Sequence, residues 1–113
     1  MADYTVSVNQ VTKDYVTDFC LKVQKGKTVE FKAITGKFTI NFRNADKFFA
    51  NPVGPKLTLN IDSGANSGID PNWPFLTILN NLSVDTEIKY EVCFISAVPP
   101  DWADAPPRII VVP

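Results

Sequence analysis

Residues 23 to 42 read Val-Gln-Lys-Gly-Lys-Thr-Val-Glu-Phe-Lys-Ala-Ile-Thr-Gly-Lys-Phe-Thr-Ile-Asn-Phe. Two runs of alternating apolar and polar residues follow a turn at Gly26 and are separated by a break at Gly36. Strict alternation is typical of a strand with one buried face, because successive side chains point to opposite sides. The stretch therefore predicts two strands, and it is compatible with a hairpin and with a crossing between two sheets. Its large apolar side chains, which we predict to form the core, are Val29, Phe31, Phe38, Ile40 and Phe42.

The rest of the chain repeats this pattern in shorter segments. Alternation predicts strands at residues 4–8, 19–24, 57–61 and 88–94, and the continuous apolar run 109–112 predicts a strand at a sheet centre or buried on both faces. Residues 75–79 carry apolar residues at a spacing that suits a helix as well, but the short length favours a strand. Residues 97–107 are rich in proline, which cannot donate to a β-ladder, so no strand is expected there.

These segments predict an all-β protein of seven to eight strands. Long loops rich in proline and glycine connect the strands, and this arrangement is typical of a Greek-key β-sandwich. A chain of 113 residues is long enough for one such domain, which we expect to span residues 1–113.

Charge and hydropathy argue against several classes of partner. The formal net charge is −1 and the basic residues are scattered, so the electrostatic footprint of a nucleic-acid-binding protein is missing. No apolar run approaches the ~20 residues of a membrane span. The first residues lack the cationic start and apolar core of a signal peptide, which predicts a cytoplasmic protein as written, or a secreted one if a leader was removed.

The composition also argues against catalysis and cofactors. The chain contains no histidine, so it cannot form the Ser-His-Asp or Cys-His sites of common hydrolases. We therefore expect neither an enzyme nor a bound cofactor. Cys20 and Cys93 fall on the polar faces of their strands, which favours two free, partly buried thiols over a disulfide.

Two loops deserve separate consideration as binding sites. In the loop 62–70, the oxygen-bearing residues Asp62, Asn66 and Asp70 stand at intervals of four, as ligands of Ca²⁺ could. The sequence does not match the EF-hand calcium-binding pattern, however, and we interpret the loop as a flexible turn-rich connection. Trp73 and Trp102 each lie in a loop that contains proline. The ordinary interpretation is that each indole folds back to cap the core.

A more specific hypothesis makes the tryptophans part of a binding surface. Exposed aromatic residues on loops favour recognition, because the strand faces are committed to packing. Trp102 is the stronger candidate, since prolines at 99–100 and 106–107 stiffen its loop. We predict that Trp102, flanked by Asp101 and Asp104, contacts a protein or small-ligand partner, with Trp73 alongside.

Five segments, taken in their order along the chain, resemble the cupredoxin family. They are Val23-Gln-Lys-Gly-Lys-Thr-Val-Glu-Phe31, Phe38-Thr-Ile-Asn-Phe42, Ile61-Asp-Ser-Gly64, Tyr90-Glu-Val-Cys93 and Arg108-Ile-Ile-Val-Val112. The resemblance implies a cupredoxin-like sandwich. Blue-copper members bind the metal through two histidines, a cysteine and usually a methionine.

The copper ligands of that family are largely missing from this chain. The resemblance would put the cysteine near Cys93, but Gly36 and Lys37 stand where the first histidine is expected. Residues 94–107, which would supply the second histidine and the methionine, contain neither. Because imidazole ligands define these trigonal copper sites, we expect a cupredoxin-like protein that does not bind copper in the family's way.

Three functional hypotheses follow from the sequence. The favoured one is a small, non-catalytic, non-copper binding or interaction module. The alternatives are a redox or metal-binding cupredoxin-like protein that uses Cys93, and a structural or assembly protein.

Overall fold

The computed structural model of the chain describes residues 3–50, 54–63 and 76–113. These residues form an all-β structure of nine strands with no α-helix, and single 3₁₀ turns lie at Lys13–Tyr15 and Ala45–Lys47. The strands are β1 (Tyr4–Val8), β2 (Cys20–Gln24), β3 (Thr28–Ala33), β4 (Lys37–Arg43), β5 (Lys56–Asp62), β6 (Leu76–Thr77), β7 (Glu87–Phe94), β8 (Asp101–Trp102) and β9 (Arg108–Val112).

The strands form two mixed sheets that pack into a compact globule. The smaller sheet has the order β1-β3-β6, and the larger has the order β2-β9-β7-β4-β5, with β8 also pairing with β7. The predicted central strands β3 and β4 therefore cross from one sheet to the other instead of pairing as a hairpin. Gly36 turns the chain between them at φ 69°, and a Cβ there would meet the Phe94 ring at 2.6 Å.

The predicted core residues lie between the two sheets. The central stretch supplies Val29 and Phe31 from β3 and Phe38, Ile40 and Phe42 from β4, each no more than 1% exposed. The rings of Phe31, Phe42 and Tyr90 contact one another at centroid distances of 5.2–5.8 Å. Burial of each such side chain is worth roughly 1.5–3 kcal/mol, so this cluster is a main source of stability.

The first and last long strands pair in parallel with partners that are remote in sequence. β1 pairs with β3, and β2 pairs with β9 with Val23 opposite Val111. As predicted, β9 lies inside its sheet, between β2 and β7. Its burial alternates, however, with Ile109 and Val111 buried and Ile110 half-buried, so β9 is fully buried on one face alone.

The prediction that no strand runs through the proline-rich loop is wrong. Asp101 and Trp102 form β8, which pairs antiparallel with the end of β7. The prolines at 99–100 and 106–107 flank this strand, and the ladder continues when Ala103 donates its N–H to the carbonyl of Val92. A short strand fits between the prolines because none of its own ladder donors is missing.

Some sequence predictions lie partly or wholly outside the described residues. These are Trp73, Asn66 and Asp70 of the oxygen-rich loop, and Phe75 at the start of the segment 75–79. The rest of that segment agrees with the strand prediction, since Leu76–Thr77 forms β6 and Ile78 bridges to Phe49. Within the described ranges, none of the helices has the length and apolar character that crossing a membrane requires.

Candidate functional site

The geometry of β8 separates two of the residues predicted to act together. In the antiparallel register, Trp102 lies opposite Cys93 and Asp101 lies opposite Phe94. Directly opposed residues share a face of the sheet and successive residues alternate, so Trp102 and Asp101 point to opposite sides. Trp102 lies on the outer face, where the residue remains 51% exposed, and Asp101 lies on the other side, where it accepts a hydrogen bond from Tyr15.

The outer face beside Trp102 contains a groove of about 550 Å³, which we call the Trp102 groove. A volume of this size lies within the range of small-ligand and side-chain sites. The groove runs over the polar side of β4 and β7 and is bounded by the segment from Trp102 to Pro106. Its lining includes Asn41, Arg43, Lys89, Glu91, Trp102 and Asp104. Trp102 and Asp104 thus line one groove, and Asp101 does not line it.

Ion pairs occupy two of the carboxylates along this groove. Arg43 lies 3.7 Å from Glu91, across the pairing of β4 and β7. Arg108 donates a hydrogen bond of 2.7 Å to Glu87, and this bond and the guanidinium charge lower the pKa of the Glu87 carboxyl. These exposed pairs are worth little to stability, but they hold their side chains in place along the edge of the groove.

Two long-range hydrogen bonds fasten the Trp102 segment to the turn Lys13–Tyr15. The hydroxyl of Tyr15 donates to the carboxylate of Asp101, and the N–H of Ala105 donates to Asp14 Oδ1 at 3.3 Å. The Tyr15 ring also packs against Phe38 and Phe94 with centroids 5.5 and 5.7 Å apart. Desolvation and the neighbouring Asp101 and Asp104 carboxylates raise the pKa of Tyr15 to about 12. The segment that presents Trp102 is therefore held on both sides.

The two cysteines are free and have different environments. Cys20 is exposed and Cys93 is buried, with 3% of its surface accessible. Burial, with a smaller contribution from the Asp101 charge, raises the pKa of the Cys93 thiol. A raised pKa lowers the thiolate fraction, and the thiolate is the form that binds metals or attacks electrophiles. In the described ranges, no three His, Cys, Asp or Glu side chains come together in a group that could hold a metal ion.

Several residues of the site were not identified from the sequence. Asp14 and Tyr15 brace the Trp102 segment from the stretch between β1 and β2, for which the sequence predicted no strand, and both have positive φ, 55° and 67°. Arg43 and Glu91 stand at polar positions of predicted strands, so their outward orientation was predictable. Their proximity was not, because the alternation pattern does not say which strands are neighbours.

The groove adjoins a second one of about 580 Å³ on the outer face of β4 and β5. Asn41, Arg43, Asn44 and Glu91 line both, so the two form one continuous surface across three strands. Comparison of the chain with protein-family models, with curated proteins and with solved structures finds no match.

Proposed function

We propose that this protein is a small, non-catalytic binding module that contacts a partner through the Trp102 groove. The observation that carries the proposal is the position of Trp102. A large indole that lies half-exposed on a rigid sheet face, beside polar groups, is a typical anchor of a binding surface. The ordinary interpretation of Trp102 as a cap on the core does not fit its 51% exposure on the outer face.

Rigidity of the segment supports the same proposal. Pairing with β7, the prolines on both sides and the hydrogen bonds to Asp14 and Tyr15 restrict the segment before a partner binds. Less conformational entropy is then lost on association, so more of the contact free energy contributes to affinity.

The redox alternative has weaker support. It requires Cys93 as a thiolate, whereas Cys93 is buried opposite Trp102 in the pairing of β7 with β8 and its pKa is raised. A structural or assembly role does not require the Trp102 groove, so the groove gives it no support. Light scattering of the purified protein distinguishes assembly from a monomeric module.

We further propose that the two packed sheets have the Greek-key arrangement of a cupredoxin-like sandwich without the copper ligands. Support comes from the segments on which the resemblance rests. Four of the five segments supply residues to β2, β3, β4, β7 and β9. The first two residues of the remaining segment, Ile61 and Asp62, belong to β5. The absence of histidine from the sequence supports a site that does not bind copper as blue-copper proteins do.

The binding proposal is tested with arrays of immobilised peptides and glycans. The protein is labelled through the exposed thiol of Cys20, and the wild type is compared with Trp102→Ala and with Val84→Ala. Val84 is an exposed apolar residue that does not line the groove, so it is a matched control. We expect ligands that bind the wild type and Val84→Ala and lose at least about tenfold in affinity with Trp102→Ala.

Thermal melting of each variant verifies that the fold is retained. Binding that is indifferent to Trp102→Ala, or a wild type that retains no ligand, would overturn the proposal.

A further inference from the structure

The carboxylates of the Trp102 groove are not equivalent. Glu87 is bonded to Arg108 and Glu91 lies close to Arg43. Asp104 forms no ion pair with any residue in the described part of the chain, although it lines the same groove and its side chain is exposed. Lys89 also lines the groove and has no recorded ion pair among the described residues, so the groove carries charges of both signs, and Asp104 supplies an unpaired negative charge two residues from the exposed indole.

The surroundings of Asp104 add to this negative charge. Asp101 lies on β8 and Asp14 is bonded to the neighbouring Ala105, so three carboxylates are gathered around the segment that presents Trp102. Desolvation is the largest cause of the raised pKa of Tyr15 and of Cys93; Asp101 and Asp104 add to it at Tyr15, and Asp101 adds to it at Cys93.

The indole of Trp102 complements a positive charge as well as an apolar surface. The face of an indole attracts cations, and a planar guanidinium stacks on it more readily than an ammonium does. No cation of the described chain is recorded against this ring, so its exposed face is open to a cation from outside.

We propose that the Trp102 groove binds an arginine side chain of a partner polypeptide, whose guanidinium stacks on Trp102 and pairs with Asp104. This inference rests on the proposed binding function. The partner chain continues along the surface that the two adjoining grooves share at Asn41 and Arg43. A neutral sugar would stack on the indole without forming an ion pair with Asp104, and an acidic side chain stacked on Trp102 would meet the like charge of Asp104.

The test measures binding of three defined hexameric probes by isothermal titration calorimetry. They are an acetylated and amidated (Gly-Arg)₃ peptide, the corresponding (Gly-Glu)₃ peptide, and cellohexaose. We expect the arginine peptide alone to bind, with an affinity that falls as the salt concentration rises. Trp102→Ala and Asp104→Asn should each weaken binding of the arginine peptide by about tenfold. Trp102→Phe should weaken it less than Trp102→Ala does, because a phenyl ring keeps part of the cation–π attraction that is strongest for indole.

Glu30→Gln is the matched control, because it removes the same charge from the other sheet. Glu30 lies on β3, where it accepts a hydrogen bond from Thr5 that a glutamine can also accept. Non-specific attraction to an acidic protein would make Glu30→Gln and Asp104→Asn lose affinity equally, and this would overturn the inference. Melting temperatures again verify folding, and Trp102→Phe keeps the test valid if Trp102→Ala does not fold.

The other outcomes separate the two proposals. Cellohexaose or (Gly-Glu)₃ binding that Trp102→Ala abolishes would overturn the arginine inference and leave the binding module standing. Arginine-peptide binding that ignores both Trp102 and Asp104 would overturn the inference. If no probe binds while the arrays yield Trp102-dependent ligands of another chemistry, the inference also fails and the binding module stands.

Discussion

The hydroxyl of Tyr15 donates a hydrogen bond to the carboxylate of Asp101, although 86 positions separate the two residues in the chain. The bond connects the turn Lys13–Tyr15 to β8, and the Tyr15 ring completes the connection by packing on Phe38 and Phe94. An early loop of the chain therefore supports the late segment that carries Trp102.

Burial of Tyr15, together with this contact, makes the stability of the protein depend on pH in the alkaline range. The pKa of Tyr15 is raised from 10.0 to about 12, so the folded state favours the neutral phenol more than the unfolded state does. The stabilisation is complete below about pH 10 and is lost as pH rises through about 12. Burial also raises the pKa of Tyr90, which adds to the same decline.

We expect Tyr15→Phe to lower the free energy of unfolding by about 1 kcal/mol at pH 8, as loss of a hydrogen bond to a charged acceptor does at a partly exposed site. The difference between wild type and variant should shrink as pH rises from 10 toward 12. Urea denaturation at several pH values measures it, with Tyr4→Phe as the control. A difference that is independent of pH in this range would contradict the assignment.

The aromatic cluster at the centre of the core gives a second prediction. Phe31→Ala and Phe42→Ala should each lower the free energy of unfolding by about 3–5 kcal/mol, because both rings are buried and their removal leaves a cavity. Ile34→Ala, at a residue that is 48% exposed, is the control and should change it by less than about 1 kcal/mol. Because the two rings are in contact, the double variant should lose less than the sum of the two single losses.

The two thiols should differ in reactivity. A thiol reagent without reductant should label one cysteine in the native protein and two after unfolding, because Cys20 is exposed and Cys93 is buried with a raised pKa. Cys20→Ser should leave no rapidly reacting thiol in the native state. Rapid labelling of Cys93 in that variant would contradict its burial in the folded protein, and no labelling of the unfolded wild type would indicate a disulfide.

The turn before β3 gives a prediction about backbone conformation. Gly26 has φ 75°, and a Cβ at this position would collide with the side chain of Asn80. Gly26→Ala should therefore lower the free energy of unfolding by about 1–3 kcal/mol. Adding Asn80→Ala should recover the part due to the collision and leave the part due to positive φ. An unchanged loss in the double variant would assign the whole effect to the backbone.

The strands were largely predictable from the sequence because half-burial leaves a signature in every second residue. The alternation in Thr28–Ala33 and Lys37–Arg43 reported which side chains face the core, and the structure agrees. The alternation does not show which strands pair with each other, so it could not show that these two strands belong to different sheets. β8 was missed because two residues are too few to show a period, and the prolines around them indicated a loop.

The candidate site was predictable in part for the same reason. An indole and nearby acidic residues in a stiff loop pointed to Trp102 and Asp104, which line one groove. The grouping with Asp101 failed because adjacent residues of a strand face opposite ways, and this required knowledge that β8 is a strand. The bracing by Asp14 and Tyr15 depends on contacts between distant parts of the chain, which no local pattern encodes.

The position of β9 between β2 and β7 bears on how the protein forms during synthesis. β2 is made early, but its neighbour in the sheet is β9, and β2 joins the remainder of that sheet through β9. On the ribosome, β2 therefore lacks its pairing partner until β9, which ends at Val112, has left the exit tunnel. The larger sheet can be completed only after β9 has emerged, so its strands should fold together at that point and not one after another. The nascent chain should be most prone to aggregation just before β9 emerges.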